Sequence, residues 1–182
     1  MNKNILRQKI LQQRQSLSEL QWNTKSNLIC ARITDLPIFT RANTIFAYFS
    51  FRKEADLSPL FSLNKNWAFP RCIKKNLTWH LWQPGEDLTK DKYGIQVPLE
   101  TAPTVSVSSA ELILVPAVAC DERGYRLGYG GGFYDRLLSS PQCSDITTVG
   151  IVFDFARLNR LPVDSWDIKL DYVCTETAFW HC

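Results

Sequence analysis

Residues 126–136 run Arg126-Leu127-Gly128-Tyr129-Gly130-Gly131-Gly132-Phe133-Tyr134-Asp135-Arg136. Four of the chain's eight glycines lie within five residues here, directly before a run that predicts a helix. Glycine has no Cβ, so its backbone can adopt positive φ and let neighbouring N–H groups converge. Converging N–H groups followed by a helix N-terminus favour an anion, most often a phosphate. The stretch therefore predicts a phosphate-binding loop.

The spacing within residues 128–132, hereafter the glycine loop, excludes two common nucleotide motifs. No Gly-Lys-Ser/Thr sequence follows it, so it is not a Walker A loop. Its glycines also do not fit the fingerprint of a Rossmann fold. A plain flexible turn is the alternative, although such a turn seldom needs four glycines with charged residues on both flanks.

Strand and helix patterns alternate on both sides of the glycine loop. Before it, Glu111–Val115 is nearly all apolar, which suits a strand buried on both faces. Thr147–Phe153 and Thr44–Phe49 predict two more strands. This alternation predicts an α/β protein with three α/β/α layers around a largely parallel sheet. Ligands of such sheets bind at the carboxyl ends of the strands, which is where the glycine loop lies.

The remaining segments predict shorter elements. An amphipathic helix is predicted over 2–22, because apolar residues recur at 3–4 spacing, with Gln13 as the exception. That stripe consists of Leu6, Ile10, Gln13, Leu17 and Leu20. Further helices are predicted over 25–34 and 59–63. Strands are predicted over 66–69 (closed by Pro70-Arg71), 77–82 and 172–175, the last being the final strand, and 100–109 is predicted to be a surface loop.

Length and composition indicate a single globular domain over residues 1–182. The hydrophobic fraction is 45% and the charged fraction 21%, as in ordinary soluble proteins. The net charge of +3, without a block of Lys and Arg, argues against a nucleic-acid partner. The longest apolar run, Leu112–Cys120, is far too short to span a membrane, and the N-terminus does not resemble a signal peptide. These features predict a cytoplasmic protein without a membrane partner.

The cysteines and histidines give no metal signal. Six cysteines are present, none in a Cys-x-x-Cys motif, and there are only two histidines, so a zinc site is not expected. An even cysteine count permits disulfides, but a chain of this length without a secretion signal favours reduced thiols.

Three basic residues of the N-terminal helix fall on one side of it. At about 100° per residue, Lys3, Arg7 and Arg14 lie within about 40° of one another, beside the apolar stripe. A solvated charged face is the usual reason for such a row, and Arg14 is assigned to that face.

The stretch R-L-G-Y-G-G-G-F-Y-D-R closely resembles the signature of the 5-formyltetrahydrofolate cyclo-ligase (methenyltetrahydrofolate synthetase) family. Shorter matches support it at Lys3-Asn4-Ile5-Leu6-Arg7, at Pro70-Arg71, at Tyr93-Gly94-Ile95 and at Thr175-Glu176. The resemblance implies one compact domain related to sugar-phosphate isomerases and CoA-transferases. It also implies an enzyme that uses ATP to cyclise 5-formyltetrahydrofolate to 5,10-methenyltetrahydrofolate, releasing ADP and phosphate.

The resemblance also implies roles for individual residues. Magnesium is expected at Asp167, although Trp166 and Asp164 stand where the family usually has histidine and glutamate. Folate is expected at Phe49 and Glu54, since a carboxylate can accept hydrogen bonds from a pterin edge. Arg136 is the expected catalytic residue. The residues expected to bind ATP are Lys3, Arg7, Gly128, Tyr129, Gly130, Gly131, Gly132, Phe133, Tyr134, Asp135 and Arg136.

Each of these residues also has an ordinary structural explanation. Phe49 suits core packing, Glu54 an exposed loop, and Asp167 a surface turn near Pro162. Asp135 in the first turn of a helix complements the helix dipole, and the family signature places it near the metal. Arg126 and Arg136 suit structural ion pairs as well as phosphate.

Two other functions fit parts of the sequence. One is a non-catalytic module that binds 5-formylfolate and does not use ATP. The other is a sugar-phosphate isomerase or CoA-transferase relative, which would need an acid–base pair or a catalytic glutamate instead of a triphosphate site. For the cyclo-ligase, the expected partners are ATP, 5-formyltetrahydrofolate and its polyglutamates, and the protein is expected to be a monomer.

Overall fold

The structure is a computed structural model that describes residues 2–182. The helices of this part of the chain are α1 Lys3–Gln15, α2 Glu19–Thr34, α3 Pro37–Arg41 and α4 Phe133–Leu138. Its strands are β1 Thr44–Phe46, β2 Asn66–Ile73, β3 Asn76–Leu81, β4 Leu88–Lys90, β5 Gln96–Pro98, β6 Thr104–Val105, β7 Leu112–Pro116, β8 Ala119–Asp121, β9 Arg126–Leu127, β10 Thr147–Ile151, β11 Arg157–Leu158, β12 Tyr172–Cys174 and β13 Phe179–His181.

Eight strands form the main sheet, in the order β13-β12-β10-β7-β1-β2-β3-β6. The five central strands from β12 to β2 are parallel, whereas β13, β3 and β6 join antiparallel at the two sides. The predicted largely parallel sheet of an α/β protein is therefore confirmed. The chain runs from β1 to β2 in one direction and returns through β7 in the other, so the strand order reverses between β1 and β7.

The sheet is covered on both faces, which gives three layers. On one face, Ile45 and Leu114 pack with Ile29 and Ile33 of α2 in one apolar cluster. On the other face, alternate residues of the same strands pack with Leu6 and Ile10 of α1 and with α4 in a second cluster. Because side chains alternate along a strand, a sheet buried on both faces needs apolar residues at every position, as in β7.

The single helix predicted over 2–22 is wrong, because the chain breaks into α1 and α2 around Ser18. The Ser18 side chain accepts a hydrogen bond from the Gln21 N–H, while the Gln21 side chain accepts one from the Ser18 N–H. This capping box starts a new helix. The predicted stripe fails beyond the break, since Leu20 is 76% exposed. The buried residues of α1 are instead Leu6, Ile10 and Arg14.

The strand β2 continues to Ile73, so the prediction that Pro70-Arg71 ends it is wrong. Its partner β1 pairs only with residues 66–68, which leaves the far end of β2 without a neighbour on that side. The missing N–H of Pro70 therefore costs the sheet nothing, as proline is tolerated at a strand edge. The strand beginning at Thr44 is shorter than predicted, and residues 58–60 form a 3₁₀ turn in place of the helix over 59–63.

Several short elements are absent from the sequence predictions. Strand β13 follows the strand predicted to be last, and β6 lies inside the predicted loop over 100–109. Strands β11, β8 and β9 form a small three-stranded sheet, and β4 pairs with β5. Within residues 2–182, no helix combines the length and the apolar character that crossing a membrane requires.

Candidate functional site

A cleft of about 1220 Å³ opens where the strand order reverses, beyond the carboxyl ends of β1 and β7. Open α/β sheets bind ligands at such a point, because the chains leaving the two strands diverge there. Its walls include all the residues that the sequence assigns to the site: Lys3, Arg7, Phe49, Glu54, Gly128, Tyr129, Gly130, Gly131, Gly132, Phe133, Tyr134, Asp135, Arg136 and Asp167.

The glycine loop forms one wall and leads into α4. Gly130 has φ 99° and Gly132 has φ 65°, values in the left-handed region that residues with a Cβ rarely adopt. Gly132 is the N-cap of α4 and has no side chain to cap it. Since α4 is only six residues long, its dipole is weak, and an anion here depends on the loop N–H groups and nearby cations.

Helix α1 places Lys3 and Arg7, which the family resemblance assigns to ATP, beside the glycine loop. The Arg7 Nε donates to the Gly128 carbonyl at 2.7 Å, and an Arg7 Nη donates to the Asn4 side chain at 2.6 Å. Lys3 lies one turn earlier, as its spacing in a helix requires. The helix begins here because the Asn2 side chain accepts hydrogen bonds from the N–H groups of Asn4 and Ile5.

Lys3 faces two carboxylates on the segment after β11. Its Nζ donates to Asp164 at 2.7 Å and to Asp167 at 2.5 Å. Burial on its own would lower the Lys3 pKa, but the hydrogen bonds and charges of the two aspartates outweigh it and raise that pKa. Asp167 also accepts a hydrogen bond from the Asp164 N–H at 2.7 Å, and it is the less exposed of the pair.

The two arginines that flank the glycine loop differ in their surroundings. Arg126 is buried, and its Nη lies 2.8 Å from a carboxylate oxygen of Asp135. The two residues therefore form a structural ion pair, which was one of the alternatives for Arg126. Arg136 is exposed, and it donates to the carbonyls of Lys75 at 2.7 Å and Gly131 at 2.9 Å. Its guanidinium is therefore held between the glycine loop and the turn joining β2 to β3.

Glu54 lies in the loop after β1 and is not an exposed acid. It is 5% exposed, and its carboxylate accepts a hydrogen bond from the Phe51 N–H at 3.1 Å. Burial raises the pKa of Glu54 to about 7, while the charge of Arg14, the Phe51 N–H and the Tyr129 hydroxyl act to lower it. The cleft is therefore lined by a buried carboxylate whose pKa is near neutral pH.

Phe49 belongs to both the core and the cleft. Its ring stacks on Phe69 at a centroid distance of 4.1 Å and meets Trp82 edge-on at 5.1 Å. The ring is half-buried against the cluster beneath α2 while it lines the cleft. Phe49 can therefore pack against the core and still present part of its ring to a ligand.

Sequence reasoning missed Arg14, Tyr93 and Trp166. Arg14, assigned to a solvated face, is 3% exposed and contacts the glycine loop at Tyr129. Its place four residues after Ile10 was the signal, since Leu6, Ile10 and Arg14 share one helical stripe. Tyr93 and Trp166, which are 49% and 66% exposed, also line the cleft, although the family resemblance touches both positions without assigning either a binding role.

Known proteins resemble this chain over nearly its whole length. The model of the 5-formyltetrahydrofolate cyclo-ligase family matches residues 1–176. A 5-formyltetrahydrofolate cyclo-ligase of Escherichia coli (strain K12) is 30% identical over 182 residues, covering 94% of this chain and 99% of its own. One of Haemophilus influenzae is 30% identical over 173 residues, covering 91% and 92%.

A solved structure agrees with these relatives. The NMR structure of Aquifex aeolicus 5,10-methenyltetrahydrofolate synthetase superposes with a TM-score of 0.86 at 33% identity, covering all of this chain and 93% of that one. The resemblance carried by the glycine loop and the N-terminal basic residues is confirmed. With a family model that spans nearly the whole chain, the chain belongs to the 5-formyltetrahydrofolate cyclo-ligase family of enzymes.

Proposed function

We propose that this enzyme uses ATP to cyclise 5-formyltetrahydrofolate to 5,10-methenyltetrahydrofolate, with release of ADP and phosphate. The observation that carries the proposal is the combination of side chains around one cleft. Cations beside the glycine loop line it together with a buried carboxylate and aromatic rings. A triphosphate and a pterin need these two surroundings side by side.

The nucleotide part is built from Lys3, Arg7, Arg136 and the glycine loop. Arginine offers a planar fork of N–H donors that suits phosphate oxygens, and the loop adds backbone N–H groups. In the proposed complex, Lys3 and Arg7 hold the β- and γ-phosphates, and Gly128–Gly132 hold the triphosphate. Little covalent chemistry is required of the protein, since phosphoryl transfer depends on alignment and charge neutralisation.

The folate part is built from Glu54 and Phe49. The Glu54 carboxylate accepts hydrogen bonds from the amino and ring N–H groups of the pterin, and Phe49 contacts its flat face. The Tyr134 hydroxyl and one Asp91 oxygen, both on the cleft wall, are buried without a partner among the described residues. Buried polar atoms normally have partners, which supports a polar ligand here.

Asp167 is the proposed holder of magnesium, together with the phosphates. Magnesium uses one or two carboxylates and substrate phosphates rather than a cage of protein ligands. Asp164 and Asp167 meet that requirement, and the described residues hold no cluster of three or more metal-ligating side chains. When bound, the ion would neutralise phosphate charge. Lys3 orients both carboxylates and adds positive charge beside them.

In the proposed reaction, the formyl oxygen attacks the γ-phosphorus and the bond to the β-phosphate oxygen breaks, leaving ADP. The phosphorylated formyl carbon is then attacked by the neighbouring anilino nitrogen, which closes the ring. The nitrogen gives up its proton, and phosphate leaves with the former formyl oxygen and this proton as hydrogen phosphate. Arg136 is the proposed catalytic residue, because its fixed charge lies beside the glycine loop where negative charge moves during transfer.

The direct test mixes purified protein with 5-formyltetrahydrofolate, ATP and Mg²⁺ and follows the absorbance of the methenyl product. We expect product only when nucleotide is present, with ADP and phosphate formed in equal amounts. A protein that binds 5-formyltetrahydrofolate but forms no product would be the non-catalytic binding module instead. Product formed without nucleotide would also contradict the proposal.

Replacing Arg136 with alanine should lower ATP-dependent turnover more than tenfold, or about 1.4 kcal/mol of transition-state stabilisation. The physical reason is loss of a cation that the Lys75 and Gly131 carbonyls hold in place. Steady-state kinetics with 5-formyltetrahydrofolate in excess measures the effect. The matched control is Arg157→Ala, which removes an exposed, ion-paired arginine outside the cleft. Equal turnover in the two variants would refute the assignment.

Replacing Gly132 with alanine should raise KM for ATP about tenfold at a stability cost of about 1–2 kcal/mol for the left-handed backbone. An added Cβ would lie 2.8 Å from an Arg136 Nη, so this side chain must move and release the glycine loop. Gly85→Ala is the control, since Gly85 also has positive φ but has open space around its Cβ position. If both variants lost stability alike and neither changed KM, the loop would not bind nucleotide.

Three further properties of the protein are also proposed. The enzyme works as a monomer in the cytoplasm and accepts polyglutamate forms of its folate substrate. These properties belong to a single domain, in which two apolar clusters share the same sheet. Size-exclusion chromatography with light scattering tests the first of these, and a dimer at assay concentration would contradict it.

A further inference from the structure

Arg14 is a buried cation at the end of the basic row on α1. Its side chain donates from Nε to the Arg52 carbonyl at 3.0 Å and from one Nη to the Ala117 carbonyl at 3.3 Å. The other Nη donates to the Tyr129 hydroxyl, and the guanidinium lies 5.6 Å from the centre of that ring. Among the described residues, no carboxylate is hydrogen-bonded to it. A buried charge is costly unless it is compensated, so this one requires an explanation.

The three partners of Arg14 belong to three different segments, of which Arg52 and Tyr129 line the cleft and Ala117 directly follows the lining residue Pro116. Arg52 belongs to the loop after β1, Ala117 follows β7, and Tyr129 belongs to the glycine loop. These are the chains that diverge where the strand order reverses. One guanidinium therefore joins the folate part of the cleft to the nucleotide part. Five N–H donors in a rigid fork make arginine suited to such a junction, and lysine cannot reproduce it.

The loop that Arg14 holds is strained next to Glu54. Arg52 and Lys53 have φ values of 49° and 55°, in the left-handed region. Such residues cost about 1–3 kcal/mol each and persist only when their surroundings hold them. Here Arg14 binds the Arg52 carbonyl, and the Lys53 Nζ donates to the Leu17 carbonyl at 2.6 Å. The strained pair fixes the direction from which Glu54 enters the cleft.

We propose that Arg14 is a positioning residue for Glu54. It holds the 52–54 loop against the glycine loop and supplies positive charge beside a carboxylate that has to remain an acceptor of hydrogen bonds. This inference rests on the proposed function, in which Glu54 binds the pterin, and it assigns Arg14 no contact with either substrate.

The charges around Glu54 support this role. The groups that face it are Arg14 from α1, Tyr48 from the chain after β1, Tyr129 from the glycine loop and Tyr134 from α4. Burial raises the pKa of all three tyrosines, so they are neutral near pH 7. Burial also raises the pKa of Glu54, and the charge of Arg14 opposes that rise. Loss of Arg14 should therefore raise the pKa of Glu54 further, so that more of this carboxyl is protonated at neutral pH and accepts fewer hydrogen bonds from a pterin.

The test is Arg14→Gln, with KM for each substrate measured from about pH 6 to about pH 9. We expect KM for 5-formyltetrahydrofolate to rise about tenfold at neutral pH, and the acidic limb of its pH profile to move up by about one unit. KM for ATP should rise less than KM for 5-formyltetrahydrofolate, and without the shift in pH profile, because Arg14 touches the glycine loop only at Tyr129. Arg14→Lys keeps the charge but not the fork, so it should restore the position of the acidic limb while KM remains raised.

Lys9→Gln is the matched control, because it removes one positive charge from an exposed position of the same helix. It should change neither KM nor the pH profile. If Arg14→Gln raised both KM values alike at every pH, Arg14 would only support the fold, and the inference would be wrong. An unshifted acidic limb would equally overturn it.

The role of Arg14 can still be tested if Arg14→Gln does not fold, or if the parent enzyme is inactive. If Arg14→Gln does not fold, Tyr129→Phe replaces it, since this change removes the hydroxyl that accepts from Arg14 and opposes the rise of the Glu54 pKa. It should shift the acidic limb in the same direction, and an unshifted limb would overturn the inference. If the parent enzyme makes no methenyl product, the proposed function fails by itself. Binding of 5-formyltetrahydrofolate against pH, measured by calorimetry, then decides the role of Arg14 alone.

Discussion

Replacing Glu54 with glutamine should give a protein that is more stable than the parent above about pH 7 and yet about 100-fold lower in kcat/KM for 5-formyltetrahydrofolate. The two effects have one cause, a buried carboxylate with few partners. Two charge-assisted hydrogen bonds to a pterin are worth about 1.5–3 kcal/mol each, and losing a good part of them accounts for about two orders of magnitude.

The stability effect has a definite sign. The pKa of Glu54 is about 7 in the folded protein against an ordinary value of 4.5, so the folded state binds the proton more tightly than the unfolded chain does. Between these pH values stability falls as pH rises, because the unfolded chain ionises freely while the folded state still holds its proton. At about 1.36 kcal/mol per pKa unit, the loss above about pH 7 amounts to at most about 3 kcal/mol. Glutamine carries no charge, so the variant does not lose this stability as the pH rises.

Thermal unfolding of parent and Glu54→Gln at about pH 5 and about pH 8 measures the effect. The difference in stability should be small at the lower pH and favour the variant at the higher. Asp56→Asn is the control, since this acid lies two residues away in the same segment and is half-buried, outside the cleft. A variant that lost stability at the higher pH, or kept full activity, would contradict the proposed state of Glu54.

Replacing Asp167 with asparagine should raise the Mg²⁺ concentration needed for half-maximal activity and lower turnover by about 100-fold at fixed metal, in line with the several kcal/mol that a metal ion contributes to charge stabilisation. Asparagine keeps an oxygen that can accept from Lys3 and from the Asp164 N–H, so the local turn is preserved. The lower turnover of the variant would therefore result from the missing negative charge and not from a disturbed turn.

Asp164→Asn provides the comparison for this prediction, because Asp164 also binds Lys3 but is 45% exposed against 10% for Asp167. Initial rates over a range of Mg²⁺ concentrations separate the two carboxylates. We expect a large shift for Asp167→Asn and a small one for Asp164→Asn. Equal and small effects would mean that both aspartates serve only to anchor Lys3.

Local pattern was enough to predict the layers and the position of the cleft. The all-apolar strand before the glycine loop and the alternation of strands and helices specify a parallel sheet, and ligands of such sheets bind at one edge. The glycine loop itself was identifiable because positive φ at Gly130 and Gly132 demands that residue type. These features depend on neighbours in sequence, which is why they were predictable.

Arg14 could not be predicted in the same way, because its partners are remote. Arg52, Ala117 and Tyr129 lie 38, 103 and 115 residues away. A basic residue beside an apolar stripe is solvated in most helices, and only the folded chain shows that carbonyls and a hydroxyl converge on it. Strands of two or three residues, such as β9 and β11, escaped prediction because so short a segment carries no periodicity.

The two outermost strands of the main sheet have a consequence for self-association. A long exposed edge strand offers a row of unpaired N–H and C=O groups with which a strand of another molecule can pair. Here β6 has two residues and β13 has three, so each of these two outermost strands presents only a brief template. Two native enzyme molecules should accordingly not join into one continuous sheet through these edges, even in concentrated solution.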